Sequence, residues 1–241
     1  MIALAFGPAP GNVSRPGGLP SCRPAKKGAR VTDRRDLPRH TESPRLLVAL
    51  SLMGVAGAVA LIGGTIVAQQ FVPNHDWIAD TISDLAAGPW EIVMDVALYG
   101  FAGGIMATAL AAAHAHLGRA DWSFGVLSLA LLAVLVTIIA ARNEYGDGDS
   151  EGIEVHTYLV YALAVLFAAA PFLMARGVGR ESPTARRILL ALGAVWALSA
   201  PVFYLLPSDI DGLYERALGL IACAVLAVLW TVFLRRGRRG L

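Results

Sequence analysis

Six runs of apolar residues, at 46–68, 92–117, 122–141, 155–175, 188–206 and 217–234, constrain this chain more than anything else in it. Each is bounded by charge or by Gly and Pro, and each approaches the ~20 residues a helix needs to cross about 30 Å of hydrocarbon. Inside lipid the backbone N–H and C=O groups find no water, so a spanning segment must satisfy them within a helix or a closed barrel. Barrel strands alternate between lipid and lumen, and runs this continuous exclude that pattern. One such run could be the core helix of a soluble protein. Six in succession, in 241 residues of which 56% are hydrophobic and 16% charged, leave too little polar surface to cover them in water. The expected fold class is all-α: a polytopic membrane protein, a six-transmembrane-helix bundle over residues 45–235, with the lipid bilayer as its first partner.

Charge sets the expected orientation. With loops assigned alternately to two sides, one side receives the tail 1–45, Arg119, the linker arginines Arg176, Arg180, Arg186 and Arg187, and Arg235, Arg236, Arg238 and Arg239, which is 18 of the 20 basic residues. The positive-inside rule then places both termini in the cytoplasm, most simply at the plasma membrane. The other side holds Arg142 and Arg216 and thirteen of the eighteen acids.

Residues 1–44 are rich in Pro, Gly, Arg and Ser without apolar periodicity, and are expected to be a disordered basic cytoplasmic tail; 236–241 form a short basic end. The tail serves as a topological anchor that could touch anionic lipid heads, and nothing in it specifies nucleic acid. Cys22 and Cys223 are too few and too separated for a disulfide framework. Small residues recur at four-residue spacing: Gly54 with Ala58, Ala60 with Gly64, Gly100 with Gly104, and Gly103 with Ala107 and Ala111. In lipid such stripes allow close helix approach, which makes the first two spans core partners; oligomerisation is the alternative use of the same faces. Pro171 and Pro201 should kink or end spans four and five. Trp77, Trp90 and Trp122 fall where an interfacial aromatic belt belongs.

The chemistry lies on the acidic side. Asp76, Asp80 and Asp84 follow the first span at four-residue intervals, with Ser83 beside them. On a helix they fan over about 80° of one face, which predicts a short amphipathic interfacial helix. The third loop carries "DGDSEG", whose Asp147, Asp149 and Glu151 copy the first half of a calcium loop. The twelfth position would be Tyr158 where that motif needs Glu. No EF-hand results, and a looser site for a divalent cation shared with Asp84 and His156 is the remaining metal reading. His114 and His116, two residues apart on a helix, cannot share a metal. Arg216 at the start of the last span needs a partner, and Glu215, Asp84 and Asp95 are the candidates. There is no G-x-S-x-G, H-E-x-x-H or phosphate-binding loop.

Three landmarks taken in order, "TISDL" after the first span, an acidic turn leading to His156, and "GLYER" opening the last span, make residues 45–235 resemble the Domain of Unknown Function 998 family of bacterial six-span membrane proteins. The resemblance implies the architecture and a focus on Ser83, Asp84, His156, Glu215 and Arg216; no activity comes with it. The candidate polar site is therefore Asp76, Asp80, Ser83, Asp84, His156, Glu215 and Arg216. Three uses fit it: a binding, sensing or assembly site; a metal-dependent hydrolase or transferase acting on lipid; and a transporter, ranked last because the spans lack mid-membrane charge.

Overall fold

The computed structural model describes residues 42–86, 90–141 and 155–241, which hold seven helices and no strand. They are α1 (Pro44–Ala68), α2 (Ile82–Leu85), α3 (Glu91–Ala115), α4 (Ala120–Ala141), α5 (Val155–Glu181), α6 (Pro183–Phe203) and α7 (Asp211–Arg239). All but α2 are long and apolar enough to cross a membrane. The chain is a multi-pass membrane protein.

The ends of the helices follow local chemistry. Pro44 stands in the first turn of α1, where its missing N–H costs nothing, and Glu42 and Ser43 are already ordered against the bundle. The bundle thus begins three residues earlier than composition indicates. α3 stops at Ala115 because His116 takes a left-handed conformation (φ 47°), from which its N–H bonds Ala112 O. Ser182 caps α6 by accepting from Ala185 N. α5 continues for ten residues beyond Pro171, so that proline does not end the span; it packs against Gly193 of α6. α6 does end two residues after Pro201.

α1 packs most extensively on α3, as the small-residue stripes predict. The closest approach lies at a glycine outside those stripes. A β-carbon on Gly57 would come within 2.7 Å of Gly104 Cα and 2.8 Å of Gly100 O, so the two backbones meet there. Gly103, by contrast, faces open space. The rest of the order is α3 on α4, α4 on α5, α5 on α6, with α7 closing the ring against α6 and α1.

Trp122 departs from the expected interfacial belt. It is buried, donates its indole N–H to Ala112 O at 2.9 Å, and fills room left by Gly118 and Gly177, where side chains would collide with it. Trp77 and Trp90 stay about half exposed at the acidic end. Trp230 of α7 reaches across to Thr108 of α3 at 2.7 Å, so a buried indole finds a partner inside the bundle. At the basic end, Arg236 forks onto Glu42 with two bonds of 2.7 Å and also meets Glu181, while Ser43 N–H donates to His114 Nε2. These contacts gather the starts and ends of α1, α3, α5 and α7.

Candidate functional site

At the opposite end the three aspartates do not share a helix face. Residues 76–80 form turns and only Ile82–Leu85 is helical. Each carboxylate is occupied by local backbone instead. Asp76 Oδ1 accepts from Ile78 N (2.9 Å), Asp80 Oδ2 from Asp76 N (2.7 Å), and Asp84 Oδ2 from both Thr81 N (2.6 Å) and Thr81 Oγ1 (2.8 Å). Short acidic side chains compete in this way with helical bonding, which is why a four-residue repeat of Asp folds as successive turns. Asp76 remains exposed, so the row is not a single wall.

The turns are fastened to the first turn of α7. Its cap residue Ile210 offers no side-chain acceptor, and the free amides of Gly212 and Leu213 donate to Ala79 O (3.1 Å) and Ile78 O (2.9 Å). In return α7 caps α2. Glu215 Oε2 accepts from Ile82 N at 2.5 Å, and the Ser83 N–H meets the same carboxylate. Thr81 and Asp84 complete a capping box, so the amides of Thr81, Ile82 and Asp84 all have acceptors. Arg216 NH1 donates to Asp80 O at 2.7 Å. Gly212 permits this docking, since a β-carbon there would fall on the Asp80 carbonyl.

Arg216 was expected to pair with Glu215, Asp84 or Asp95. Its hydrogen bonds go instead to the Asp80 carbonyl and to His75 Nε2 at 3.1 Å, with Trp77 stacked 5.8 Å from the guanidinium carbon. A guanidinium has only donors, so Nε2 of His75 must carry the lone pair and Nδ1 the proton, which faces Asp80 Oδ2 at 3.2 Å. The His75 side chain is 4% exposed. Sequence reading passes over it because its partner lies 141 positions away; the available signal was a histidine adjoining the Asp row in a chain with only five.

Ile82, Ser83 and Ala86, in the plug formed by residues 78–86, line one end of a cavity of about 170 Å³. All six long helices contribute apolar lining, including Leu98, Phe101, Leu163, Phe167 and Trp196. Its polar lining, Ser83, His156, Glu215 and Tyr204, comes from α2 and from the adjoining ends of α5, α6 and α7, which we call the mouth. Ser83 Oγ lies 3.5 Å from His156 Nε2. Partial burial, and after it the neighbouring Tyr161, raises the Tyr204 hydroxyl above its ordinary value, so it stays a proton donor. The structure thus brings Ser83, His156 and Glu215 to one cavity mouth, and ties Asp80 and Arg216 behind it. Among the described residues no group of three His, Cys, Asp or Glu stands close enough to hold a metal ion. Asp147, Asp149 and Glu151 lie outside the described residues. His114 and His116 turn apart, toward Ser43 N and Ala113 O.

The profile of a family described as "Protein of unknown function (DUF998)" matches residues 55–232. The chain belongs to the DUF998 family. That match takes in the plug, His156 and the Glu215/Arg216 turn, and leaves out the basic tail and the Glu42–Arg236 contact. A search of the curated proteins and another of the solved structures find no match to this DUF998 protein.

Proposed function

We propose that this DUF998 protein binds an amphiphile with a single hydrocarbon chain, the chain entering the cavity and the polar head resting at Ser83, His156, Glu215 and Tyr204. The carrying observation is the pairing of an apolar cavity with a polar mouth. About 150 Å³ of apolar space suffices for a benzene ring, so 170 Å³ takes part of an acyl chain. The hydrophobic gain of ~25 cal/mol per Å² covered favours such an occupant over water. The mouth lies at the carboxylate-rich end. With the arginine-rich end in the cytoplasm, the ligand comes from the outer leaflet of the plasma membrane.

The test is native mass spectrometry of the purified full chain after delipidation and incubation with a lysophospholipid or a long-chain fatty acid. One retained molecule per chain is expected, lost when Ala164→Phe or Ala200→Phe fills the cavity. Binding that is unchanged in both variants would remove the reading. Orientation is checked separately, with a membrane-impermeant thiol reagent and a cysteine introduced at Asp209: it should react in intact cells, whereas one at Leu241 should not.

A further inference from the structure

The polar mouth carries the elements of acyl transfer, and we infer that Ser83 and His156 form a nucleophile–base pair that cleaves long-chain acyl esters. The inference rests on the binding reading, because the cavity is what would hold the acyl chain. Ser83 sits in α2, its backbone fixed by Glu215 from α7 and by the Thr81–Asp84 capping box, so the hydroxyl is presented from a rigid element. His156 opens α5, an independent element, and aims Nε2 at Oγ across 3.5 Å. Contacts of this kind are commonly long before substrate arrives and tighten when it does. Both side chains line the cavity, so an acyl chain lying against Phe101 and Phe167 would leave its carbonyl carbon at the mouth.

The remaining requirement is a donor for the carbonyl oxygen. The backbone amides of Thr81, Ile82 and Asp84 are already engaged by Asp84, Glu215 and Thr81, and that of Ser83 faces the Glu215 carboxylate. Tyr204, whose side chain lines the same cavity, is the donor we assign to the carbonyl oxygen. In the reaction, Ser83 Oγ bonds to the ester carbonyl carbon and its proton moves to His156 Nε2. The carbon–oxygen bond to the alcohol breaks, and the alcohol leaves with that proton. Water then attacks the acyl-serine, again giving a proton to His156, which passes it to Ser83 as the fatty acid departs. The net change is ester plus water to acid plus alcohol, with no change of oxidation state.

The experiment is labelling of the full chain in lipid nanodiscs with a long-chain alkyl fluorophosphonate, read by intact mass and peptide mapping, with amphiphile retention measured on the same samples. One adduct on the Ser83 peptide is expected, absent in Ser83→Ala, slowed about 100-fold in His156→Ala and slowed also in Tyr204→Phe, in a native chain that retains the amphiphile. Retention without an adduct on Ser83 would overturn the ester chemistry and leave the binding site standing. Absence of retention in the native chain would overturn both.

Discussion

The two ends of the bundle each hold an arginine among carboxylates, and they use it differently. At the basic end Arg236 meets Glu42 and Glu181 charge to charge, a fork of two 2.7 Å bonds on one carboxylate with the second carboxylate alongside. At the acidic end Arg216 and Glu215 are neighbours on α7, yet each binds loop one through groups other than a carboxylate or a guanidinium: Arg216 through the Asp80 carbonyl and the His75 ring, Glu215 through the Ile82 amide. The first arrangement clamps helices and can be rebuilt with any well-placed ion pair. The second reads backbone, so it fixes the path of residues 78–84 rather than the identity of their side chains. An element whose path is fixed this way can carry a functional side chain, Ser83, without that side chain being needed for folding.

The two ends differ most at their glycines. Gly212 and Gly237 occupy equivalent places, one at each end of α7. A β-carbon at Gly212 strikes the Asp80 carbonyl, which cannot move without undoing the plug; at Gly237 it meets a Val48 methyl at 2.8 Å and Pro44 O at 2.9 Å. Gly212→Ala should therefore destabilise by ~3 kcal/mol and loosen the amides of residues 79–84 in hydrogen exchange, with a smaller effect from Gly237→Ala. Equal effects would mean that the two ends are held alike.

Next in size is Glu215. Replacing it by Ala leaves the Ile82 amide without its acceptor inside a half-buried plug, and a loss of ~1–3 kcal/mol is expected in mixed-micelle unfolding. Glu215→Gln keeps a carbonyl oxygen and should recover most of that. If Gln were as damaging as Ala, the charge rather than the cap would be what matters, and the acidic end would resemble the basic one.

The smallest effect belongs to the Arg236 clamp, whose side chains are 30% and 29% exposed. A double-mutant cycle with Glu42→Gln and Arg236→Gln should give ~0.5–1 kcal/mol at low salt and less at high salt. Its pH dependence has a definite sign. The hydrogen bond from Arg236 holds the Glu42 carboxyl below its ordinary 4.5, despite the opposing effect of burial. The unfolded chain takes up that proton first as pH falls, so the coupling is constant near neutrality, begins to decline around the ordinary value and is gone only below the depressed one. A cycle that weakened instead between pH 8 and 6 would identify a histidine as the responsible group.

How much of this was legible beforehand follows from the range of each interaction. Spanning helices are encoded by bulk apolarity over some twenty residues, and all six appear where hydropathy puts them. Their ends carry contacts that bulk apolarity does not encode: α5 runs to Glu181 rather than to 175, with Gly177 inside it leaving room for Trp122, and α7 extends from Asp211 to Arg239, with Gly212 and Gly237 at its contacts. The short helix after the first span was expected, but not that Asp76 and Asp80 would lie outside it, since carboxylates that bond backbone amides two to four residues away fit the same four-residue repeat. Ser83 stood out beside the Asp row and His156 as a possible ligand, and the resemblance pointed to both, but their contact spans 73 positions that periodicity cannot bridge. The partner of His75 was hidden for the same reason, and the cavity more so, because a void is a property of seven elements at once.

The capping of α2 has a mechanical consequence. Its own residues bond the amides of Thr81 and Asp84, while that of Ile82 belongs to Glu215. The stopper therefore keeps its shape by itself but takes its position from another helix. Tilting the outermost turn of α7 would carry it along intact, so the vestibule would widen by a swing on a hinge and not by unravelling.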